Sequence, residues 1–135
     1  MSEPRWIQYD FAFVRVVPHP YLGAFQNVGI LLHARTEEFL GLRVVSDPAE
    51  LRRRAPEVDH ELLLRYLEGC RLVCAGDPAG GTIALLPESE RFHWLTAPRS
   101  DVLQPSPIHE GLCLDPAAEL EALFDSCVAT VPGPA

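Results

Sequence analysis

The sequence predicts a single α+β domain in which two to three helices pack on an antiparallel or mixed sheet of about five strands. β-branched and aromatic segments dominate the first third of the chain, and helical apolar periodicity appears in the middle and at the end. The length of 135 residues suits one hydrophobic core. We therefore assign residues 1–131 to one domain. We expect residues 132–135, which are proline- and glycine-rich, to form a disordered tail.

The first predicted strand covers residues 9–17, YDFAFVRVV, and is ended by Pro18 and Pro20. Apolar residues occupy both alternating sets of positions in this segment. Such a pattern is typical of a central strand whose two faces are both covered. We therefore place it in the middle of the sheet.

Residues 28–45 contain two further apolar segments that are joined by a short polar link, as in a β-hairpin. If Ala34 pairs with Phe39, the antiparallel register places Ile30 opposite Arg43. The hairpin then supplies the second and third strands of the sheet.

Three predicted helices begin at aspartates that can cap exposed backbone N–H groups: Asp47, Asp59 and Asp115. Proline follows the first and the last of these, which suits the first helical position. Gly76 supplies the end of the second helix. Between Gly76 and the last helix, residues 82–86 and 91–97 have the composition of two more strands.

Composition and charge exclude several classes of function. No apolar run is long enough to span a bilayer, and the first ten residues lack the apolar stretch of a signal peptide. We therefore expect a cytoplasmic protein without a membrane partner. The formal net charge is −8, which disfavours binding to nucleic acid because that binding depends on cationic side chains.

The chain has four cysteines, Cys70, Cys74, Cys113 and Cys127. We expect reduced thiols, because disulfide frameworks are typical of shorter, loop-rich secreted chains. Zinc is the alternative, since Cys70 and Cys74, like His109 and Cys113, are four residues apart and could share a helical face. No Cys-x-x-Cys pair is present, and we predict neither a metal nor a cofactor.

The segment 98–114, PRSDVLQPSPIHEGLCL, is the strongest candidate for a working surface. It is predicted to be a long irregular loop stiffened by three prolines, and long loops in compact domains are often functional. A packed structural loop is the alternative. No nucleophile elbow or phosphate-binding glycine motif is present, and we assign no catalytic residue. The candidate binding residues in this segment are Arg99, Ser100, Gln104, Ser106 and His109.

Arg15 lies in an otherwise apolar strand, where a guanidinium needs a partner. The partner could be a carboxylate of the chain, such as Asp10, Asp101 or Glu110, or an anionic ligand. We interpret Asn27 and the residues after it as a structural turn, and we also include Asn27 among the candidate binding residues. The arginines at 52–54 are interpreted as a solvated helix end, where the helix dipole favours cations.

Two segments, YDFAFVRVVP and FQNVGILLHA, resemble the opening of the DUF3037 family of small bacterial proteins of unknown function, and RFHWLTAPRSDVLQPSPIHEGLCLDP resembles its second half. The matching positions include Tyr9, Arg15, Phe25, Asn27 and Gly29. The resemblance implies an accessory protein, because genes of this family often lie beside genes for HipA-like kinases. It implies no reaction.

Two hypotheses follow. In the first, the protein is an interaction module that binds a protein partner, such as a HipA-like kinase, through the 98–114 and 18–27 loops. In the second, it is a small-molecule or nucleotide-handling enzyme whose site surrounds Arg15, Arg99 and His109. Convergence of these three residues in one deep pocket would favour the enzyme, whereas an apolar patch rimmed by the loops would favour the partner.

Overall fold

The computed structural model of the protein describes residues 3–99 and 101–129 and has five strands and four α-helices in its described part. In chain order these elements are β1 (Ile7–Val16), β2 (Gln26–Ala34), β3 (Phe39–Val44), α1 (Pro48–Arg54), α2 (His60–Ala75), α3 (Glu88–Thr96), β4 (Leu103–Pro105), β5 (His109–Cys113) and α4 (Pro116–Phe124). A π-helical turn, Asp125–Ala129, extends α4. The predicted tail at 132–135 lies outside the described residues. Within the described ranges, no helix has the length and apolar character needed to cross a membrane.

The five strands form one antiparallel sheet with β1 at its centre. Strand β2 pairs with one edge of β1, and β3 pairs with β2. The other edge of β1 is shared by two short strands, β5 beside its first half and β4 beside its end. The α+β fold and the five-stranded sheet are therefore confirmed, with four α-helices in the described residues where two to three were expected.

The register predicted for the β2–β3 hairpin is confirmed. Ala34 pairs with Phe39, and Ile30 pairs with Arg43. The link between the strands is a short 3-10 turn that ends at Glu38, which has a positive φ of 50°. Because side chains alternate along each strand, this register decides which residues face each side of the sheet.

Helices α2 and α3 cover one side of the sheet, which we call the first face. From β1 it carries Ala12, Val14 and Val16, all buried. Contacts between the layers are direct: the Cys74 thiol on α2 lies 3.6 Å from the Leu40 carbonyl oxygen on β3. The first face therefore forms one of the two apolar layers of the hydrophobic core.

Helix α4 packs on the opposite side, which we call the second face, over β2 and β3. A methyl group at Gly41 would come within 2.7 Å of Leu120, so glycine permits this close approach. The Arg43 guanidinium lies 4.3 Å from the centre of the Phe124 ring and its Nε donates to Glu121 at 3.2 Å. The predicted placement of the last helix in the core is thus supported by its contacts.

The predicted caps of the helices are present. The carboxylates of Asp47, Asp59 and Asp115 each accept a hydrogen bond from a backbone N–H in the first turn of the following helix. Helix α2 ends where Gly76 adopts a left-handed conformation with a φ of 69°. These short sequence signals were sufficient because capping depends on residues that are neighbours in the chain.

The strands predicted at 82–86 and 91–97 are wrong. The structure has a 3-10 turn, Ile83–Leu85, and helix α3 in their place. Phe92, Leu95 and Thr96 are buried at helical spacing against the first face. Arg91 donates to the carbonyl oxygens of Val73 and Cys74 at the end of α2, and this contact ties the two helices together. Tertiary packing has therefore overridden the local β-propensity.

The irregular loop predicted at 98–114 is also wrong in part, because β4 and β5 lie within it. Both strands pair with β1, which would otherwise present unpaired backbone groups at its outer edge. The apolar residues of this segment therefore belong mainly to two edge strands, and its prolines lie at the end of β4 and in the turn between β4 and β5 as well as at the start of the segment.

The arginines at 52–54 are not a uniformly solvated helix end, because Arg54 is only 2% exposed. Its guanidinium donates to the Glu50 carboxylate at 2.8 Å, to the Asn27 carbonyl oxygen at 3.2 Å and to the Ala129 carbonyl oxygen at 3.3 Å. Hydrogen bonds from Arg53 and Arg54 lower the pKa of Glu50 to about 2. Arg54 therefore clamps α1, the start of β2 and the end of the last helical turn.

Candidate functional site

The most distinctive surface lies on the second face, beside the area that α4 covers. Phe11, Phe13 and Arg15 alternate along β1 with the buried residues of the first face, and all three are only partly buried. The rings of Phe11 and Phe13 meet edge to face, with centroids 5.9 Å apart. The prediction that β1 is covered on both faces is therefore wrong for this part of the strand.

His109 extends this row of rings onto the neighbouring strand. It pairs with Phe11 in the register of β1 and β5, and side chains of directly opposed residues share a face. The imidazole centroid lies 5.2 Å from the Phe11 ring and 6.3 Å from the Phe13 ring. The side chain is exposed, so its nitrogens are available to solvent or to a partner.

Arg15 is held by a ring and an amide, where a carboxylate of the chain was one predicted partner. Its guanidinium carbon lies 3.9 Å from the centre of the Phe25 ring, and its Nε donates to the Asn27 side-chain oxygen at 3.3 Å. Burial lowers the pKa of Arg15 from its ordinary value, yet arginine stays charged at neutral pH. Within the described residues, the two terminal nitrogens of Arg15 have no hydrogen-bond partner.

We call Phe11, Phe13, Arg15, Phe25 and His109 the aromatic patch. A bulge at Val28 shapes its border, because the β1–β2 register shifts between the Val14–Gly29 and Arg15–Asn27 pairs. Such bulges redirect side chains at the end of a strand. The turn predicted at Asn27 is wrong, because Asn27 and Gly29 lie in strand β2, but Asn27 has a structural role through its contact with Arg15.

Two other candidates, Ser106 and Gln104, make internal contacts. The Ser106 hydroxyl accepts from the Phe13 backbone N–H at 2.8 Å and donates to the Pro107 carbonyl oxygen at 2.8 Å, and the residue is 3% exposed. The Gln104 amide donates to the Asp101 carbonyl oxygen at 2.8 Å. Their role in binding stays a prediction. Their hydrogen bonds stabilise the backbone of the 98–114 segment and its pairing with β1. Ser100 lies outside the described residues.

Arg99 lies away from the aromatic patch. It lines a cavity of about 320 Å³ with Tyr66, Cys70 and Trp94, next to helix α2 of the first face. Its guanidinium lies 4.9 Å from the Trp94 ring and donates to the Trp94 and Ala97 carbonyl oxygens. Neither Arg15 nor His109 lines this cavity. Arg99 therefore lies apart from Arg15 and His109, the two residues with which the enzyme hypothesis grouped it.

A polar pocket around His33 was not anticipated from the sequence. His33 is 6% exposed, and its Nε2 is buried 3.5 Å from a Glu88 carboxylate oxygen without a hydrogen bond to a described residue. The pocket beside it is also lined by Asp10 and Arg35. Burial lowers the pKa of His33, although the Glu88 and Asp10 carboxylates oppose this shift. The β1–β2 register places His33 opposite Asp10, and the signal available in the sequence was a histidine within an apolar strand.

The cysteines have the character of buried or half-buried apolar groups. All four are free, and burial raises the pKa of the Cys74 thiol to about 12. His109 and Cys113 lie on a strand, where a separation of four residues spans about 13 Å, so the proposed helical pair does not form. Across the described part of the chain, no three His, Cys, Asp or Glu side chains are grouped as a metal site would require.

The comparison with protein families identifies this chain as a member of a family. The family model described as "Protein of unknown function (DUF3037)" matches residues 11–128, and the chain belongs to this family. The matched region contains the whole aromatic patch and the cavity beside Arg99. No curated protein and no solved structure shows significant similarity to the chain.

Proposed function

We propose that this protein is a non-enzymatic interaction module that binds a protein partner through the aromatic patch. The observation that supports this proposal is the row of partly exposed rings on β1, on the part of the second face that α4 leaves open. Aromatic and arginine side chains are the residue types that contribute most to binding energy at protein interfaces. Three residues of the patch, Phe11, Phe13 and Arg15, lie on the central strand β1, whose backbone is paired on both edges.

The chemistry of the patch indicates which partner surface would fit. Phe11 and Phe13 offer apolar ring surface, and the terminal nitrogens of Arg15 offer a planar fork for a carboxylate. Phe25 holds the guanidinium in place, which reduces the entropy that binding would cost. We expect an apolar segment with an acidic residue beside it.

The candidate partner is a HipA-like kinase, which the family resemblance implies. A nucleic-acid partner is disfavoured by the net charge of −8. The alternative enzyme around Arg15, Arg99 and His109 stays a prediction, and no geometric observation favours it because Arg99 lies in a separate cavity.

The experiment measures binding between the purified protein and the HipA-like kinase of the same organism by isothermal titration calorimetry. Phe13→Gln and Arg15→Gln should each weaken binding by roughly tenfold or more, as substitution at a central interface residue does. Leu85→Gln is the matched control, because Leu85 is 65% exposed and lies with the helices of the first face. Equal affinity of all three variants, or no binding by the unmodified protein, would reject the proposal in this form.

A further inference from the structure

The cavity beside Arg99 has the size and the lining of a small-molecule site, and it is separate from the aromatic patch. It is bounded on one side by the face of α2 that carries Arg65, Tyr66, Gly69 and Cys70, and on the other by Trp94 and Arg99. Its volume of about 320 Å³ lies at the lower end of the range for small-molecule sites. Apolar walls with a few polar groups are the usual composition of such sites.

Gly69 opens this cavity. It lies in the interior of the 16-residue helix α2, where glycine is destabilising relative to alanine. A methyl group at Gly69 would meet no atom within 4 Å, and its φ is not positive. Neither close packing nor backbone conformation therefore requires glycine here, and the missing side chain leaves space in the cavity.

Arg99 is fixed in an orientation that suits an anion. Its Nε and one Nη donate to backbone carbonyl oxygens, and its guanidinium carbon lies 4.9 Å from the Trp94 ring centre. The other Nη has no hydrogen-bond partner among the described residues. Arg65 adds a second guanidinium to the lining, and it forms no ion pair within the described part of the chain.

One carboxylate, that of Asp101, also lines the cavity, and one of its oxygens accepts from the Val102 backbone N–H at 2.8 Å. Two guanidinium groups and one carboxylate leave a net charge of +1 in the lining. The balance favours a monoanion. The rings of Tyr66 and Trp94 add flat apolar surface, which favours a planar aromatic body.

We infer that this cavity binds a small aromatic carboxylate, with the carboxylate on Arg99 and the ring against Trp94 and Tyr66. Gly69 provides the space that the ring occupies. The inference does not depend on the proposed function, because the cavity is lined by none of the residues of the aromatic patch.

The test uses benzoate as the probe, in a Trp6→Phe background that leaves Trp94 as the single tryptophan of the chain. Benzoate should change the Trp94 fluorescence in a saturable way. Benzamide, which has the same shape without the charge, and acetate, which lacks the ring, should bind more weakly by roughly tenfold or more. Equal responses to benzoate and benzamide would overturn the assignment of an anion site.

Variants of the cavity separate binding from folding. Gly69→Leu and Arg99→Gln should each weaken benzoate binding by roughly tenfold or more. Gly69→Ala should raise the thermal midpoint while it weakens binding, a combination that general damage to the fold would not produce. Arg71→Gln, a change of charge on the same helix outside the cavity, should leave binding unchanged. No saturable response to benzoate, or an unchanged affinity in Gly69→Leu, would overturn the inference.

Discussion

The two halves of the second sheet face differ in what covers them. Over β2 and β3, Ile30 and Leu32 are fully buried beneath helix α4 and the turn that extends it. Beside them on β1, Phe11 and Phe13 stay partly exposed although they pair directly with Leu32 and Ile30. Similar apolar side chains in one sheet thus have different surroundings, because α4 packs over β2 and β3 and contacts β1 at Tyr9, before Phe11 and Phe13.

This difference separates side chains that stabilise the fold from side chains that are free to bind. In the covered half, each ring and aliphatic group is fixed by neighbours, so its loss should appear in stability. In the open half, Phe11 and Phe13 pack against the core with one part of each ring and expose the rest to solvent, so their loss should appear in binding as well as in stability.

The largest effect is expected in the covered half. Phe124→Ala should lower the free energy of unfolding by about 3–5 kcal/mol, because it leaves a cavity beneath α4. Leu123→Ala, at a neighbouring half-buried position, should cost clearly less. Denaturant unfolding of both variants measures this. Equal and small effects would mean that α4 contributes little to the core, and the comparison would then fail.

The second largest effect is expected for Arg54→Met, which should lower the free energy of unfolding by about 3 kcal/mol. The substitution keeps an apolar stem but leaves the Asn27 and Ala129 carbonyl oxygens without their donor. Arg52→Ala, on the exposed side of the same helix, is the control and should change stability by less than about 0.5 kcal/mol. Similar urea midpoints for the two variants would contradict the clamp.

Ser106→Ala should cost about 1–2 kcal/mol, because the buried Phe13 N–H loses the hydroxyl that accepts its hydrogen bond. The backbone bond from Ser106 N–H to the Phe13 carbonyl oxygen remains, which limits the loss. Thermal unfolding measures the change. A stable variant that binds partner poorly would instead place Ser106 in the interface.

Because His33 is buried on the first face, the stability of the protein should depend on pH. Its pKa in the folded protein lies below the ordinary value of 6.5, so the unfolded chain binds more protons in that range. The stability contributed by neutral His33 is therefore present above about pH 6.5 and is lost as the pH falls. The free energy of unfolding, measured with urea at a series of pH values, should depend less steeply on pH in His33→Gln. An unchanged slope would mean that His33 is not the responsible group.

The smallest stability effect is expected in the open half. His109→Ala should change the free energy of unfolding by less than about 0.5 kcal/mol, because the imidazole is exposed and its ring contacts are with Phe11 and Phe13 at the surface. In the same variant, binding to the kinase should weaken. A loss of several kcal/mol with binding intact would move His109 from the interface to the fold.

Features that depend on neighbouring residues were predictable from the sequence. The hairpin register followed once Ala34 was paired with Phe39, and the aspartate caps followed from short motifs. Helix α3 was missed because Phe92 and Leu95 are buried by residues that are distant in the sequence. Local propensity gives no information about where those residues lie. Strands β4 and β5 were missed for a similar reason, since the need to pair the outer edge of β1 appears only after the sheet is assembled.

The candidate site was predictable as individual residues but not as an arrangement. Arg15 was selected because it interrupts an apolar strand, and His109 because it lies in the proline-containing segment 98–114. Sequence could not reveal that Arg99 lies in a separate cavity, because that depends on where the chain turns after α3. The half-exposed Phe11 and Phe13 could not be distinguished from core residues without knowing which strands α4 covers.

Asn27 has contacts with two arginines at once, and this affects how the protein should be handled. Its side chain accepts from Arg15 in the aromatic patch, and its backbone carbonyl accepts from Arg54, which also holds the Ala129 carbonyl. Hydrogen bonds of Arg54 and Asn27 therefore connect the Ala129 carbonyl oxygen to Arg15 of the aromatic patch. A fusion partner or surface tether is better attached at the N-terminus, where it would leave this path undisturbed.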